Sequence, residues 1–266
     1  MNDELPIHKR RVVYKVPGMD SVSVQRDIVY KSVEATDLKL DVYAPKGLSN
    51  SARLPGIVFI HGGPIPPPLQ LQMKDTGQYL SWGELAAASG LVGVTFNHRY
   101  HDYTYLEQAN SDVIAAFDYI RKHADGFNLD PDRLCLWVCS GGGPFLSFAL
   151  QDQPKFVRCI VIYYAILDLR PIERISQVVS GESLEKFSPM AYRGSTEVPM
   201  FIVRAGLDNP QLNQTIDLFV QKALAINAPF DFANHAQGHH GFDILDNDAR
   251  SQQIIARTIE FIKANV

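Results

Sequence analysis

The sequence has 266 residues, 46% of them hydrophobic and 20% charged. That is enough apolar material for the core of one large domain and too much for a disordered chain. The net charge of −4 comes with no basic run or basic amphipathic stretch, so neither nucleic acid nor a membrane surface is an expected partner.

No apolar run approaches the ~18–20 residues of a membrane span. The opening residues, Met1-Asn2-Asp3-Glu4-Leu5-Pro6-Ile7, lack the apolar core of a signal peptide. The expected address is therefore the cytoplasm. Cys135, Cys139 and Cys159 all lie in apolar runs without C-x-x-C spacing and are expected to be reduced core residues.

Residues 1–26 are polar and aperiodic, an N-terminal arm. The pattern predicts strands over 27–33 and 38–43, the second alternating through Leu38, Leu40 and Val42. Residues 44–51 form a turn-rich linker. The run 55–60 is the first continuously apolar strand. It passes into His61-Gly62-Gly63-Pro64 and a loop carrying Pro66, Pro67 and Pro68. A helix is expected over 82–89, closed by Gly90, then a buried strand over 91–96 that ends in Asn97-His98-Arg99-Tyr100.

The clearest helix spans 105–124, with Leu106, Ala109, Val113, Ala116, Phe117 and Ile120 at helical spacing. A turn over 128–132 leads to a buried strand over 134–139. Ser140-Gly141-Gly142-Gly143 follows directly, then an apolar helical stretch over 144–150. Further buried strands are expected over 156–166 and 198–203, and a weaker one over 230–233. Between the first two lies the irregular segment 167–197, with a short helix over 182–187. Amphipathic helices are expected over 211–226 and 249–264. Strands alternate with helices throughout, which predicts an α/β fold: one domain over 1–266, with a mostly parallel sheet of about eight strands and helices on both faces.

In such a sheet, ligands collect at the carboxyl ends of the strands. His61-Gly62-Gly63, Ser140, Asp208 and His240 each follow a strand run. Around the serine, Val138-Cys139-Ser140-Gly141-Gly142 fits the G-x-S-x-G nucleophile elbow at its second glycine, with Val138 at the first. Taken alone, Ser140 also reads as a helix N-cap after a Gly-rich turn.

These four pieces, in the order Ser…Asp…His, resemble the α/β-hydrolase serine carboxylesterases related to prolyl-oligopeptidase-type and BD-FAE-like esterases. Arg204-Ala205-Gly206-Leu207-Asp208 and His240-Gly241-Phe242 carry much of the likeness. Ser188-Pro189 and residues 112–132 add to it, and it covers roughly 25–265. The resemblance implies an α/β-hydrolase fold with 167–197 as a small cap. It implies Ser140 as nucleophile, His240 as base and Asp208 as the carboxylate that orients it. It also implies an oxyanion hole from the Gly141 N–H with that of Gly62 or Gly63.

A serine hydroxyl needs such a base to become a nucleophile at neutral pH, and the carboxylate fixes the imidazole tautomer. His61 is expected to hold its loop rather than to react. His239 and His235, read as loop histidines near the site, rival His240. Asp243 and Asp168 rival Asp208, with Asp168 expected to cap or turn its segment. Cys139 is a rival nucleophile of the dienelactone-hydrolase kind. His235, His239, His240 and Asp243 lie close in sequence, but Gly238 and Gly241 argue against a helical ligand pair there, so no metal is expected.

The expected function is hydrolysis of short-chain carboxylic esters, small molecules, without a cofactor. Because only a short arm precedes the hydrolase-like part, an esterase is favoured over a propeller-gated peptidase. An aminoacyl or arylformamide hydrolase is the first alternative. A non-catalytic hydrolase-fold receptor is the second, disfavoured because Ser140, Asp208 and His240 are all present.

Overall fold

A computed structural model describes residues 5–49, 51–67, 69–192, 194 and 196–266. Pro68 of the proline loop, Asn50 of the linker, the first four residues of the arm, and Arg193 and Ser195 of the 167–197 segment lie outside the described residues.

The strands are β1 (Ser23–Val33), β2 (Thr36–Ala44), β3 (Leu54–Ile60), β4 (Val92–Phe96), β5 (Leu129–Cys139), β6 (Val157–Tyr163), β7 (Met200–Ala205) and β8 (Phe230–His235). The helices are α1 (Gly77–Ala88), α2 (Leu106–Lys122), α3 (Ser147–Gln151), α4 (Glu173–Ser176), α5 (Gly181–Lys186), α6 (Pro210–Ala225), α7 (Phe242–Leu245) and α8 (Ala249–Asn265). Among the described residues they build one eight-stranded sheet in the order β1-β2-β4-β3-β5-β6-β7-β8. β2 pairs antiparallel with both β1 and β4, and every other pairing is parallel.

The apolar runs are continuous because the central strands are buried on both faces. Alternate residues feed two cores. Val58, Ile60, Leu136, Val138, Ile160 and Ile162 pack with Val113, Phe117 and Ile120 of α2 and Ile216 of α6. Ile57, Phe59, Cys135, Trp137, Cys159 and Val161 pack with Trp82 and Leu85 of α1 and with Ile254, Ile255 and Ile259 of α8. All three cysteines are buried free thiols, as expected.

Several boundaries differ from the sequence pattern, among them that of the expected arm 1–26, because β1 already begins at Ser23. Helix α1 begins at Gly77, not at Trp82, because Tyr79, Ser81, Trp82 and Gly83 are buried as well as its later residues, so no one-sided stripe marks its start. Strand β5 reaches back to Leu129 through the expected turn, since Leu129 pairs with Leu54 across a register shift. Strand β6 stops at Tyr163 because Tyr164 takes φ 38 and turns the chain out of the sheet. The arm, aperiodic in sequence, is packed. The Val12 N–H donates to Ser81 Oγ at 2.9 Å, and Val13 N–H to the Asp243 carbonyl at 2.8 Å.

The 3-10 turn Leu69–Asp75 is tied to the sheet by Lys74. Its side chain is only 2% exposed, and its Nζ lies 2.9 Å from the buried Asp41, 3.0 Å from Asp27 and 2.8 Å from Asp75. Lys74→Met should destabilise the fold by about 3 kcal/mol, because it leaves the Asp41 charge short of its main partner. Urea unfolding checks this, and a loss well below ~1 kcal/mol would show that Arg26, 3.1 Å from Asp41, suffices.

Candidate active site

Strand β5 ends at Cys139 in extended backbone, and Ser140 then takes φ 55. A non-glycine residue in the left-handed region costs roughly 1–3 kcal/mol and persists only where its surroundings enforce it. A 3-10 helix, Ser140–Leu146, starts at once. The glycines admit neighbouring loops. A Cβ on Gly141 would lie 1.8 Å from the Gly63 carbonyl oxygen, and one on Gly143 would lie 1.9 Å from that of Ile166. Val138, in place of the elbow's first glycine, is fully buried in the core. The N-cap of the turn is Cys139 and no side chain caps it. The Ser140 hydroxyl is engaged elsewhere.

Its partner is His240, with Nε2 2.8 Å from Ser140 Oγ. On the other side of the ring, His240 Nδ1 lies 2.7 Å from Asp208 Oδ2. A neutral imidazole that donates its Nδ1–H to the carboxylate presents a lone pair at Nε2 to the serine hydroxyl. Asp208 follows β7, and its side chain is 4% exposed against 43% for His240. Its Oδ1 accepts the Asn209 N–H at 2.6 Å. Asn209 in turn caps α6 by accepting the Gln211 N–H at 2.9 Å, with Pro210 in the first turn. Gly241, at φ 82, ends the histidine loop and α7 begins.

The rivals lie elsewhere. His239 pairs with Asp246 at 2.9 Å and its ring is exposed. His235 is not a loop histidine. Strand β8 runs on to it, opposite Ala205, and its buried Nε2 lies 2.9 Å from Ser251 Oγ. Asp168 accepts the Arg170 N–H at 3.1 Å and its guanidinium at 2.8 Å, forming a turn as expected. Asp243 is fully buried among Gln78, Trp82 and Tyr164. The Cys139 thiol lies 3.0 Å from the Tyr79 hydroxyl, and burial pushes its pKa up to about 12, which keeps it a thiol rather than a nucleophilic thiolate.

The loop after β3 closes the other side. Gly62 abuts the elbow: a Cβ there would lie 2.8 Å from Ser140 Cβ and 3.3 Å from the Gly141 nitrogen. The Gly63 nitrogen is 2.9 Å from where a Cβ on Gly141 would stand, and Gly63 itself abuts the Tyr100 ring. Pro64 follows through a cis peptide.

His61 and His98 hold this loop. His98, at the end of β4, has no role in the sequence reading; its only signal there is its place after a strand. The two rings stack with centroids 3.7 Å apart. His61 Nδ1–H donates to the Gly62 carbonyl at 2.7 Å, its Nε2 accepts the His98 N–H at 3.3 Å, and His98 Nε2–H donates to the His61 carbonyl at 3.3 Å. The accepting Nε2 requires the His61 ring neutral, and burial disfavours the charge on both rings. Burial lowers the His61 pKa to about 4 and that of His98 well below its ordinary value.

The unfolded chain takes up protons on both rings below ~6.5, and the folded protein does so only at lower pH. This contribution to stability is therefore intact above ~6.5 and is lost as pH falls towards about 4, where it reaches about 3 kcal/mol for the fully buried His61. Thermal melts should show Tm falling over that window. Equal Tm at pH 7 and pH 5 would contradict a neutral pair.

The chain is similar to several known proteins. The BD-FAE family model matches residues 40–156. Rat carboxylesterase 1C is 25% identical over 219 residues, which are 74% of this chain and 39% of the relative. Dipeptidyl-peptidase 4 of Giardia intestinalis is 23% identical over 206 residues, 66% of this chain and 26% of the relative. The chain thus spans about two fifths, or less, of the length of these relatives. A thermophilic esterase of Thermogutta terrifontis, Est2, solved with propionate bound, superposes with a TM-score of 0.75 at 21% identity, covering 93% of this chain and 96% of that one. The chain is thus similar in sequence to carboxylesterases and shares the fold of Est2, with the sheet order and the strand–turn–helix at Ser140 described above.

Proposed function

We propose that the protein hydrolyses esters of small carboxylic acids through an acyl-enzyme on Ser140. The observation that carries this reading is the unbroken line Ser140–His240–Asp208, with contacts of 2.8 and 2.7 Å. Ser140 Oγ attacks the ester carbonyl while His240 Nε2 takes its proton. Asp208 holds the tautomer and stabilises the imidazolium. The imidazolium then protonates the departing alcohol. Water, deprotonated by the same nitrogen, attacks the acyl-enzyme and releases the acid. No cofactor enters the scheme.

The oxyanion donors are the Gly141 N–H with that of Gly62 or Gly63, both of which pack closely against Gly141. Such donors matter because they meet charge as it develops in the transition state.

We read the chain as one hydrolase unit with an arm that ends where β1 begins at Ser23, in which 167–197 forms a small cap whose α-helices, among the described residues, are α4 and α5, of four and six residues. A short cap and a loop stiffened by Pro64, Pro66 and Pro67 make a shallow acyl pocket. Est2 has been solved with propionate and with butyrate bound, which supports short acids here. Each methylene that fits gains about 0.8 kcal/mol of burial, and those beyond the pocket gain little. In a p-nitrophenyl ester series, kcat/KM should peak between acetyl and butyryl and fall by octanoyl, without a jump at the micelle threshold. An optimum at decanoyl would refute the shallow pocket.

The likeness to a dipeptidyl peptidase favours amide hydrolysis as a second reading. Parallel assays on an ester, an aminoacyl anilide and a formanilide separate the two.

A further inference from the structure

Tyr164, just after β6, has no part in the scheme above, yet its conformation is enforced from several sides. At φ 38 it occupies a region that a bulky residue rarely adopts. Its N–H donates to the Val203 carbonyl at 2.9 Å. Its ring is buried, with its centroid 4.8 Å from that of His240 and the planes tilted by 60°. Its hydroxyl donates to Asp243 Oδ1 at 2.5 Å.

Asp243 also accepts from Gln78 Nε2 at 2.9 Å and Trp82 Nε1 at 3.0 Å. Burial raises the Asp243 pKa, and the three donors Tyr164, Gln78 and Trp82 act against that rise and favour the carboxylate. Helix α1, the turn after β6 and α7 therefore converge on one buried carboxyl, and Tyr164 touches both it and the His240 ring. A backbone outlier held by several independent contacts is a reason to ask what its side chain does.

We propose that Tyr164 is a positioning residue for His240, and that Asp243, through it, stabilises the imidazolium. This inference rests on the reading of His240 as the base. The ring blocks rotation of the imidazole away from Ser140 and Asp208. Its hydroxyl, bonded to a carboxylate, enriches the ring that the imidazolium meets, and an aromatic ring beside a cation is attractive.

The groups around His240 fix the sign. Asp208 lies at Nδ1 and Ser140 at Nε2, with Tyr164 against the ring and Asp243 behind it. Tyr79 and Cys139, facing Tyr164, are held neutral by burial. His239, on the same loop, is paired with Asp246. Weakening the Tyr164–Asp243 unit removes negative potential, so His240 becomes harder to protonate and titrates at lower pH.

The test uses the full chain with Tyr164→Phe, which removes one hydroxyl and keeps the ring, and Asp243→Asn. Two readouts are taken: the pH profile of p-nitrophenyl acetate hydrolysis and the NMR titration of the His240 ring nitrogens. For Tyr164→Phe, which keeps the ring and loses only the link to Asp243, kcat should fall about threefold, the rate equivalent of half a pH unit in imidazolium stability, with KM unchanged. The acid limb and the His240 titration should both move down by about half a pH unit. Asp243→Asn, where it folds, should move both the same way. An unmoved His240 titration in Tyr164→Phe overturns the proposal whatever the rate. A wild type that titrates normally but turns over no ester would instead overturn the reading of the function, and the NMR comparison would still decide the role of Tyr164.

Discussion

Ser140→Ala is expected to lower kcat by about a millionfold, the scale of removing the nucleophile of a triad that works as a unit. The fold should survive. The Ser140 hydroxyl caps no helix, and its hydrogen bond is to His240, so alanine leaves no buried group without a partner. Far-UV CD and thermal melting of the variant should match the wild type. Ser140→Gly should lose as much activity but gain about 1 kcal/mol of stability, since glycine removes the cost of φ 55 at that position. Cys139→Ala should keep most activity. A Ser140→Ala variant with ordinary turnover would place the nucleophile elsewhere.

The second large effect is Asp208→Asn, for which kcat should fall about 10⁴-fold. The reason lies in the local hydrogen bonds. Asp208 Oδ1 accepts the Asn209 N–H at 2.6 Å, and Oδ2 faces His240 Nδ1 at 2.7 Å. In the variant the amide oxygen stays with the Asn209 N–H, which has to donate, so the amide NH₂ turns to His240. Nδ1 then accepts, the ring proton moves to Nε2, and Nε2 can no longer take the serine proton. The control is His239→Ala, which should be mild because that ring is engaged with Asp246. Steady-state rates with p-nitrophenyl acetate check both. An Asp208→Asn variant within tenfold of the wild type would mean that the carboxylate is not what orients the ring.

Much of the fold was legible in the sequence because the central strands are buried on both faces and read as unbroken apolar runs. Leu134 to Cys139 and the run at Val198 to Val203 are of this kind. The sheet's ends and the start of α1 were less legible, since Gly77, Ser81 and Gly83 are chosen for close approach rather than for periodicity. Ser140, Asp208 and His240 were marked by standing just after strands, and a chain order suffices to propose them. What a linear pattern cannot show is how side chains turn. The close packing of Gly62 on the Ser140 elbow, the stacking of His61 on His98 and the burial of Asp243 under Tyr164 all depend on contacts between segments far apart in sequence. His235 was misjudged for the same reason. Its neighbours Ala236-Gln237-Gly238 signal a loop, but pairing with Ala205 carries β8 one turn of pleat further.

The central claim is that Ser140 is made nucleophilic by His240. The most direct measurement is peptide mapping by mass spectrometry after exposure to paraoxon, a compound by which Est2 is phosphorylated. The wild type should carry one diethylphosphoryl group, on the peptide that contains Ser140. Ser140→Ala should carry none, and His240→Ala should label far more slowly. An adduct on Cys139, or labelling of the wild type that persists at the same rate in Ser140→Ala, would contradict the account.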